Sequence, residues 1–163
     1  MMLIDAIQIG MAGYKVGKKP ETLSTLGLGS CVAICIFDEL NKIGGLAHIM
    51  LPDSTIMKGD INPAKFADTA VPLLLTELGR LGAAKHAILV KIAGGAHMFS
   101  FKTEDPAFEI GARNVDAVEL ACKKNGLRIV ARSVGGNCGR SVWLDLSTGT
   151  LTVKTISQGV INI

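Results

Sequence analysis

Cys31-Val32-Ala33-Ile34-Cys35-Ile36-Phe37 is an unbroken apolar run, closed by Asp38 and entered through Gly27-Leu28-Gly29-Ser30. The run is too short for a buried helix and shows no alternation, so it reads as a strand covered on both faces. Working outward, residues 7–14, 21–26 and 43–51 also read as strands, short and separated by Gly, Pro or the polar 38–42 turn. Further along, 86–93, 127–134, 141–145 and 150–155 have the same character. Two helices interrupt them. Asn62-Pro63 has the form of an N-cap followed by Pro at the first helical position. Phe66, Ala67, Ala70, Val71, Leu74, Leu75, Leu78 and Leu81 then keep a helical rhythm. Pro72 is expected to kink this helix. The second helix is expected over 113–125, with Val115, Val118 and Cys122 inward, Lys123 and Lys124 in its last turn and Gly126 ending it. Strands outnumber helices and do not alternate with them. The expectation is an α+β fold: a mixed or antiparallel β-sheet core, sandwich-like, flanked by two main helices.

The chain has 163 residues with no visible linker or repeat, which suggests a single domain over 1–163. Lys plus Arg number 17 against 14 Asp plus Glu. No like-charge run exceeds two, and aromatics make up 4% of the chain, so nucleic-acid binding is not expected. The longest apolar stretches, 31–37 and 71–75, are far too short for a spanning helix, so no membrane insertion is expected. The first ten residues lack the pattern of an export signal. Cys31, Cys35, Cys122 and Cys138 are then best read as reduced thiols in a cytoplasmic protein.

The glycines fall in clusters: Gly27/Gly29, Gly44/Gly45, Gly94/Gly95 and Gly135/Gly136. In Thr25-Leu26-Gly27-Leu28-Gly29-Ser30-Cys31 a thiol follows two glycines at the mouth of a buried strand. A nucleophile needs an accessible sulfur on a rigid base, with backbone N–H groups aimed at the oxyanion. Taken alone, Cys31 fits a small core residue better, because free cysteine is among the most buried residue types. Cys35 and Cys122 read as core. Cys138, in a Gly-rich loop beside Arg140, is a second nucleophile candidate. Of the three histidines, His86 reads as surface and His97 as a loop-borne alternative base. His48 shares a strand face with Leu46 and Met50. If the 38–42 turn centres near residue 40, His48 faces Cys31 across a hairpin. Metal is a poor reading, since Cys31 and Cys35 find no second pair to complete a tetrahedral set. A nucleotide loop is equally poor, since Gly27-Leu28-Gly29 leads into a strand.

Gly27-Leu28-Gly29-Ser30-Cys31, Ala47-His48-Ile49-Met50-Leu51-Pro52 and Lys65-Phe66-Ala67-Asp68-Thr69-Ala70 together resemble the chemoreceptor glutamine deamidase family, CheD. Lys91-Ile92-Ala93-Gly94-Gly95-Ala96-His97-Met98-Phe99, Ile110-Gly111-Ala112-Arg113-Asn114 and the 135–140 loop fit it as well. The resemblance covers nearly the whole chain, in order. It implies hydrolysis of glutamine side chains to glutamate on methyl-accepting chemotaxis receptors, with no cofactor. It implies Cys31 as nucleophile, His48 as base and Thr25 as the residue orienting His48; Thr25 carries no signal of its own. Gly27, Gly29, Ser30, Gly94 and Gly95 are expected around the substrate, with Gly44 and Gly45 as a further wall. A CheC-type response-regulator phosphatase is the implied partner. Two other readings remain open: an adaptor without turnover, and a receptor methylesterase using the same thiol.

Overall fold

The computed structural model describes residues 5–98 and 109–163. Phe99, at the end of one resemblance motif, lies outside them, as does the start of the N-terminal stretch. The described residues form ten strands and two α-helices. The strands are β1 (Ile7–Gln8), β2 (Tyr14–Lys18), β3 (Thr22–Leu28), β4 (Val32–Asp38), β5 (Ile43–Ile49), β6 (Ile88–Gly94), β7 (Arg128–Val134), β8 (Arg140–Asp145), β9 (Leu151–Thr155) and β10 (Gly159–Asn162). The helices are α1 (Ala67–Arg80) and α2 (Ile110–Lys124). One sheet has the order β1-β3-β8-β9-β10 and the other β2-β5-β4-β6-β7, each with one parallel pair at an edge. The fold is therefore α+β, built on two mixed sheets.

Every residue of β4 is buried, as its sequence predicts. Its two faces serve different layers. Val32, Ile34 and Ile36 pack with Val71, Leu74 and Leu78 of α1 and Val118 and Cys122 of α2. Cys31, Ala33, Cys35 and Phe37 face Leu23, Leu28, Val142, Leu144 and Val153 of the other sheet. The order is thus helices, sheet, sheet, with β4 at the centre. Cys35 and Cys122 are core residues, and burial pushes their thiols up to about 12 and about 11.

Several boundaries differ from the sequence reading. Residues 7–14 are not one strand: β1 is two residues long, and a turn with Gly13 N–H on Gly10 O (3.0 Å) leads into β2. β2 is a sheet edge, so its Tyr-Lys-Val-Gly-Lys sequence is polar and carries little strand signal. β10, another edge, was likewise unmarked. Asn62 does cap, accepting from Ala64 N–H (3.1 Å), but it caps a single 3-10 turn, and α1 begins at Ala67. α1 runs unbroken through Pro72, which lies on the solvent side where the carbonyl it leaves unpaired can meet water. α2 starts three residues before the expected Arg113.

The β4–β5 hairpin turns on Asp38. Its buried carboxylate accepts from Leu40 N–H (2.8 Å), Asn41 N–H (3.1 Å), Asn41 Nδ2 (2.8 Å) and Ala84 N–H (2.7 Å). Burial alone would raise its pKa, but these hydrogen bonds outweigh that and hold it below the ordinary 3.8. The stability it contributes is present above 3.8 and is lost as pH falls through the lower folded value. Asp38→Ala strands the Leu40, Asn41 and Ala84 donors, and the expected loss is about 3 kcal/mol. Urea titration at neutral pH checks this; a midpoint unchanged from the parent refutes it.

Candidate functional site

The turn Leu28-Gly29-Ser30-Cys31 carries the chain from β3 in one sheet to β4 in the other. Thr25 precedes this corner and Cys31 ends it. Between them β3 bulges: Thr25 pairs with Val142 and Leu28 with Arg140, while Leu26 and Gly27 are left over and exposed. Gly27 has φ +70°, so the bulge needs a residue without a Cβ penalty.

The hairpin register differs from the expected one. Ala33 lies opposite His48 and Val32 opposite Ile49, so Cys31 would meet Met50 rather than His48. The turn centres between residues 40 and 41. A shift of two residues keeps the face, however, so His48 and Cys31 lie on the same side of the hairpin in diagonal register.

His48 is 1% exposed and Thr25 fully buried. Thr25 Oγ1 lies 2.7 Å from His48 Nδ1 and 2.7 Å from the Ile9 carbonyl oxygen. A carbonyl only accepts, so the single hydroxyl proton goes to Ile9. Thr25 must then accept from Nδ1–H. That fixes the tautomer and leaves the lone pair on His48 Nε2, which is buried without a hydrogen-bond partner among the described residues. Burial pushes the His48 pKa below its ordinary 6.5. It pushes the Cys31 thiol above 9.0, an effect its own backbone N–H only partly offsets. Both shifts favour the uncharged forms, so the resting pair is thiol and imidazole rather than thiolate and imidazolium.

The 94–96 loop holds the Gly29–Cys31 turn from the helix side. Gly95 N–H donates to Cys31 O and Ala96 N–H to Gly29 O, both at 2.8 Å. A Cβ on Gly94, whose φ is +114°, would collide with the Cys31 carbonyl, and one on Gly95 with Val115. Gly29 is different: its φ is ordinary and a Cβ would meet only the side chain of Met98, 3.2 Å away. Gly44 and Gly45 lie at the far end of β5 from His48. A Cβ on Gly44 would strike Leu146 at 2.6 Å and one on Gly45 would strike Val16 at 2.9 Å. They permit close packing and do not form a wall of this site.

Cys138 is half-buried, accepting from Ser157 Oγ (3.3 Å) and pointing its thiol at Asn137 Oδ1 (3.4 Å). It lines a groove of about 690 Å³ with Leu26, Gly27, Arg140 and Trp143. His86 is exposed, and His97 is half-buried with its N–H on Gly136 O (2.8 Å). Asn114, fully buried on α2, donates from Nδ2 to Ser30 O and Met50 O, both at 3.0 Å. The sequence reading quoted Asn114 only within a motif. A polar residue on the inward face of an otherwise apolar helix was the available signal.

A thiol, an uncharged imidazole with a free lone pair and a hydroxyl fixing its tautomer form a set suited to acyl transfer. Residues 50–155 match the family model described as CheD chemotactic sensory transduction. The chain is 48% identical over 155 residues to a probable chemoreceptor glutamine deamidase CheD of Desulfitobacterium hafniense, covering 95% of this chain and 96% of that protein. It is 47% identical to one of Desulforamulus reducens (93% and 92% covered) and 44% identical to one of Clostridium botulinum (97% and 98%). The chain belongs to the CheD family. No helix among the described residues is long and apolar enough to cross a membrane.

Proposed function

We propose that this chain, as one domain over 1–163 acting in the cytoplasm, hydrolyses glutamine side-chain amides on chemoreceptors through Cys31, His48 and Thr25. The observation that carries this reading is the Ile9–Thr25–His48 hydrogen-bond chain, which leaves Nε2 able to accept a proton. His48 Nε2 takes the Cys31 thiol proton as Sγ attacks the carboxamide carbon, and the carbonyl π pair moves to oxygen. N–H groups of the 29–31 turn hold that oxyanion. His48 returns the proton to nitrogen, the C–N bond breaks and ammonia leaves. Water, deprotonated by His48, then cleaves the thioester, giving glutamate and free thiol. Thr25 keeps the imidazole aligned without adding a buried charge. The reading calls for no metal or organic cofactor.

Gly27, Gly29 and Ser30 border the substrate's approach, and Gly94 and Gly95 seat the Cys31 peptide. Exposed Met11, Leu26 and Met98 supply an adaptable apolar rim suited to a receptor helix. A CheC-type phosphatase would compete for the same rim. Incubation with a glutamine-bearing receptor fragment tests the reading. Ammonia release with amide-to-acid conversion is expected. Binding without release favours the adaptor, and release of methanol from methylated receptor without ammonia favours the esterase. Added CheC-type partner is expected to raise the apparent KM for receptor; a fall in kcat alone counts against a shared rim.

An uncharged resting pair has a kinetic consequence. Iodoacetamide alkylation of Cys31 is expected to be slow at neutral pH and to keep climbing with pH beyond 9.0 before it levels off, following the raised thiol. Deamidation is expected to persist below pH 6.5 and to fall only as the depressed His48 protonates. Rapid alkylation extending down to pH 5 would show a preformed ion pair instead.

A further inference from the structure

Three consecutive carbonyls precede the body of β4, and each is held by a separate donor. Gly29 O accepts from Ala96 N–H, Ser30 O from Asn114 Nδ2 and Cys31 O from Gly95 N–H. Two of these donors are backbone and come with the loop. The third is a side chain, placed where a helix former would serve α2 better. Its orientation follows from its partners. Ser30 O and Met50 O only accept, so the carboxamide nitrogen must face them, and Oδ1 is left buried without a partner among the described residues.

Asn114 also sits where the hairpin opens. The last ladder pair is Val32 with Ile49. Beyond it Met50 N–H turns to Lys65 O (2.8 Å), and the strands part at the level of Cys31. The carboxamide bridges the gap between the carbonyls of Ser30 and Met50.

The peptide joining Ser30 to Cys31 is trans, since the cis bond described in the chain is Lys19–Pro20. In a trans peptide the C=O and N–H point to opposite edges of the plane. α2 lies on the helix-covered face of the sheet, whereas Cys31 packs on the face toward the other sheet. A Ser30 carbonyl drawn to α2 therefore turns the Cys31 N–H away from the helices, to the side of the thiol and His48. We propose that Asn114 is a positioning residue that fixes the 30–31 peptide with its N–H facing the reacting carbonyl, so that the oxyanion site is formed before substrate arrives. The proposal rests on Cys31 being the nucleophile. The lowering effect of the Cys31 N–H on its own thiol agrees with that placement.

Asn114→Ala removes both donors, and Asn114→Asp keeps the shape but presents acceptors to two carbonyls. On receptor fragment, kcat is expected to fall about 10²–10³-fold, the scale of losing one oxyanion donor, with KM little changed. Iodoacetamide alkylation of Cys31 forms no oxyanion, so its rate should stay within about threefold of the parent. A folded variant with near-parental kcat overturns the proposal. So does a parallel loss of deamidation and alkylation, which would mean that Asn114 only seats the thiol. If neither variant folds, the unaltered protein decides the matter. A glutamine-mimicking peptide bearing a γ-aldehyde adds Cys31 Sγ to its carbonyl carbon, and the thiol proton passes to the new hydroxyl. In ¹⁵N-labelled protein the Cys31 amide proton should then move downfield; an unmoved resonance overturns the proposal. Ammonia release that persists in Cys31→Ala sinks the nucleophile reading itself, whereas loss there beside a full-rate Asn114→Ala sinks only the role of Asn114.

Discussion

Cys31→Ala is expected to bring deamidation down to the background rate. Removing the nucleophile of a serine hydrolase costs about 10⁶-fold, and a thioester mechanism has no substitute for the lost sulfur. The fold should survive, because Cys31 lies at the end of the inter-sheet core with 9% exposure and loses only one atom of packing there. The other cysteines make the prediction specific. Cys35→Ala should lower the thermal midpoint but keep activity, since Cys35 is 1% exposed and packs between the sheets. Cys138→Ala should change neither, since Cys138 is half-buried and bonded to Ser157 and Asn137 at the edge of a groove. Ammonia release and differential scanning calorimetry on the three variants decide it. Full turnover by Cys31→Ala, or a dead Cys138→Ala, would move the chemistry to the 135–140 loop.

The second large effect concerns the base. His48→Ala is expected to lower kcat by at least about 10²–10⁴-fold, the range for general acid–base catalysis. The full effect should exceed that range, because burial holds the thiol protonated and thiolate formation is lost along with the base. Some stability is lost too: a buried ring is removed and Thr25 loses its donor, though its own proton still reaches Ile9 O at 2.7 Å. Thr25→Val tests the orienting role separately. It leaves the imidazole in place but unpinned, so kcat should fall by less than in His48→Ala. Thr25→Ser, which restores the hydroxyl, should recover most of the loss. Equal rates in Thr25→Val and the parent would exclude Thr25 from the mechanism. His97→Ala is the control, and a dead His97→Ala beside an active His48→Ala would shift the base to the 94–97 loop.

The sequence alone determined the doubly buried strand at the centre, because continuous burial leaves a continuous apolar run in 31–37. It also determined both helices, whose 3.6-residue rhythm is local. The placing of Cys31 and His48 on one face of a hairpin was legible for a similar reason. A single hairpin joins them, and hairpin geometry depends on few residues. Its register was misplaced by two, which the period of a strand forgives because both side chains stay on one face. The edge strands β2 and β10 were not legible, since half-solvated edges carry polar residues and resemble loops.

What only the tertiary structure decided depends on contacts between distant segments. Thr25 reaches His48 across the gap between two sheets, and its proton is claimed by Ile9, just past the end of β1. Nothing in residues 21–28 marks that Thr as different from its neighbours. Asn114 meets Ser30 from 84 residues away in sequence and Met50 from 64. That Gly94 lies against the Cys31 carbonyl and Gly95 against Val115 was likewise invisible in the glycine pair itself. Local pattern records which face of an element is buried; it does not record what that face is buried against, and the His48 tautomer follows from the latter.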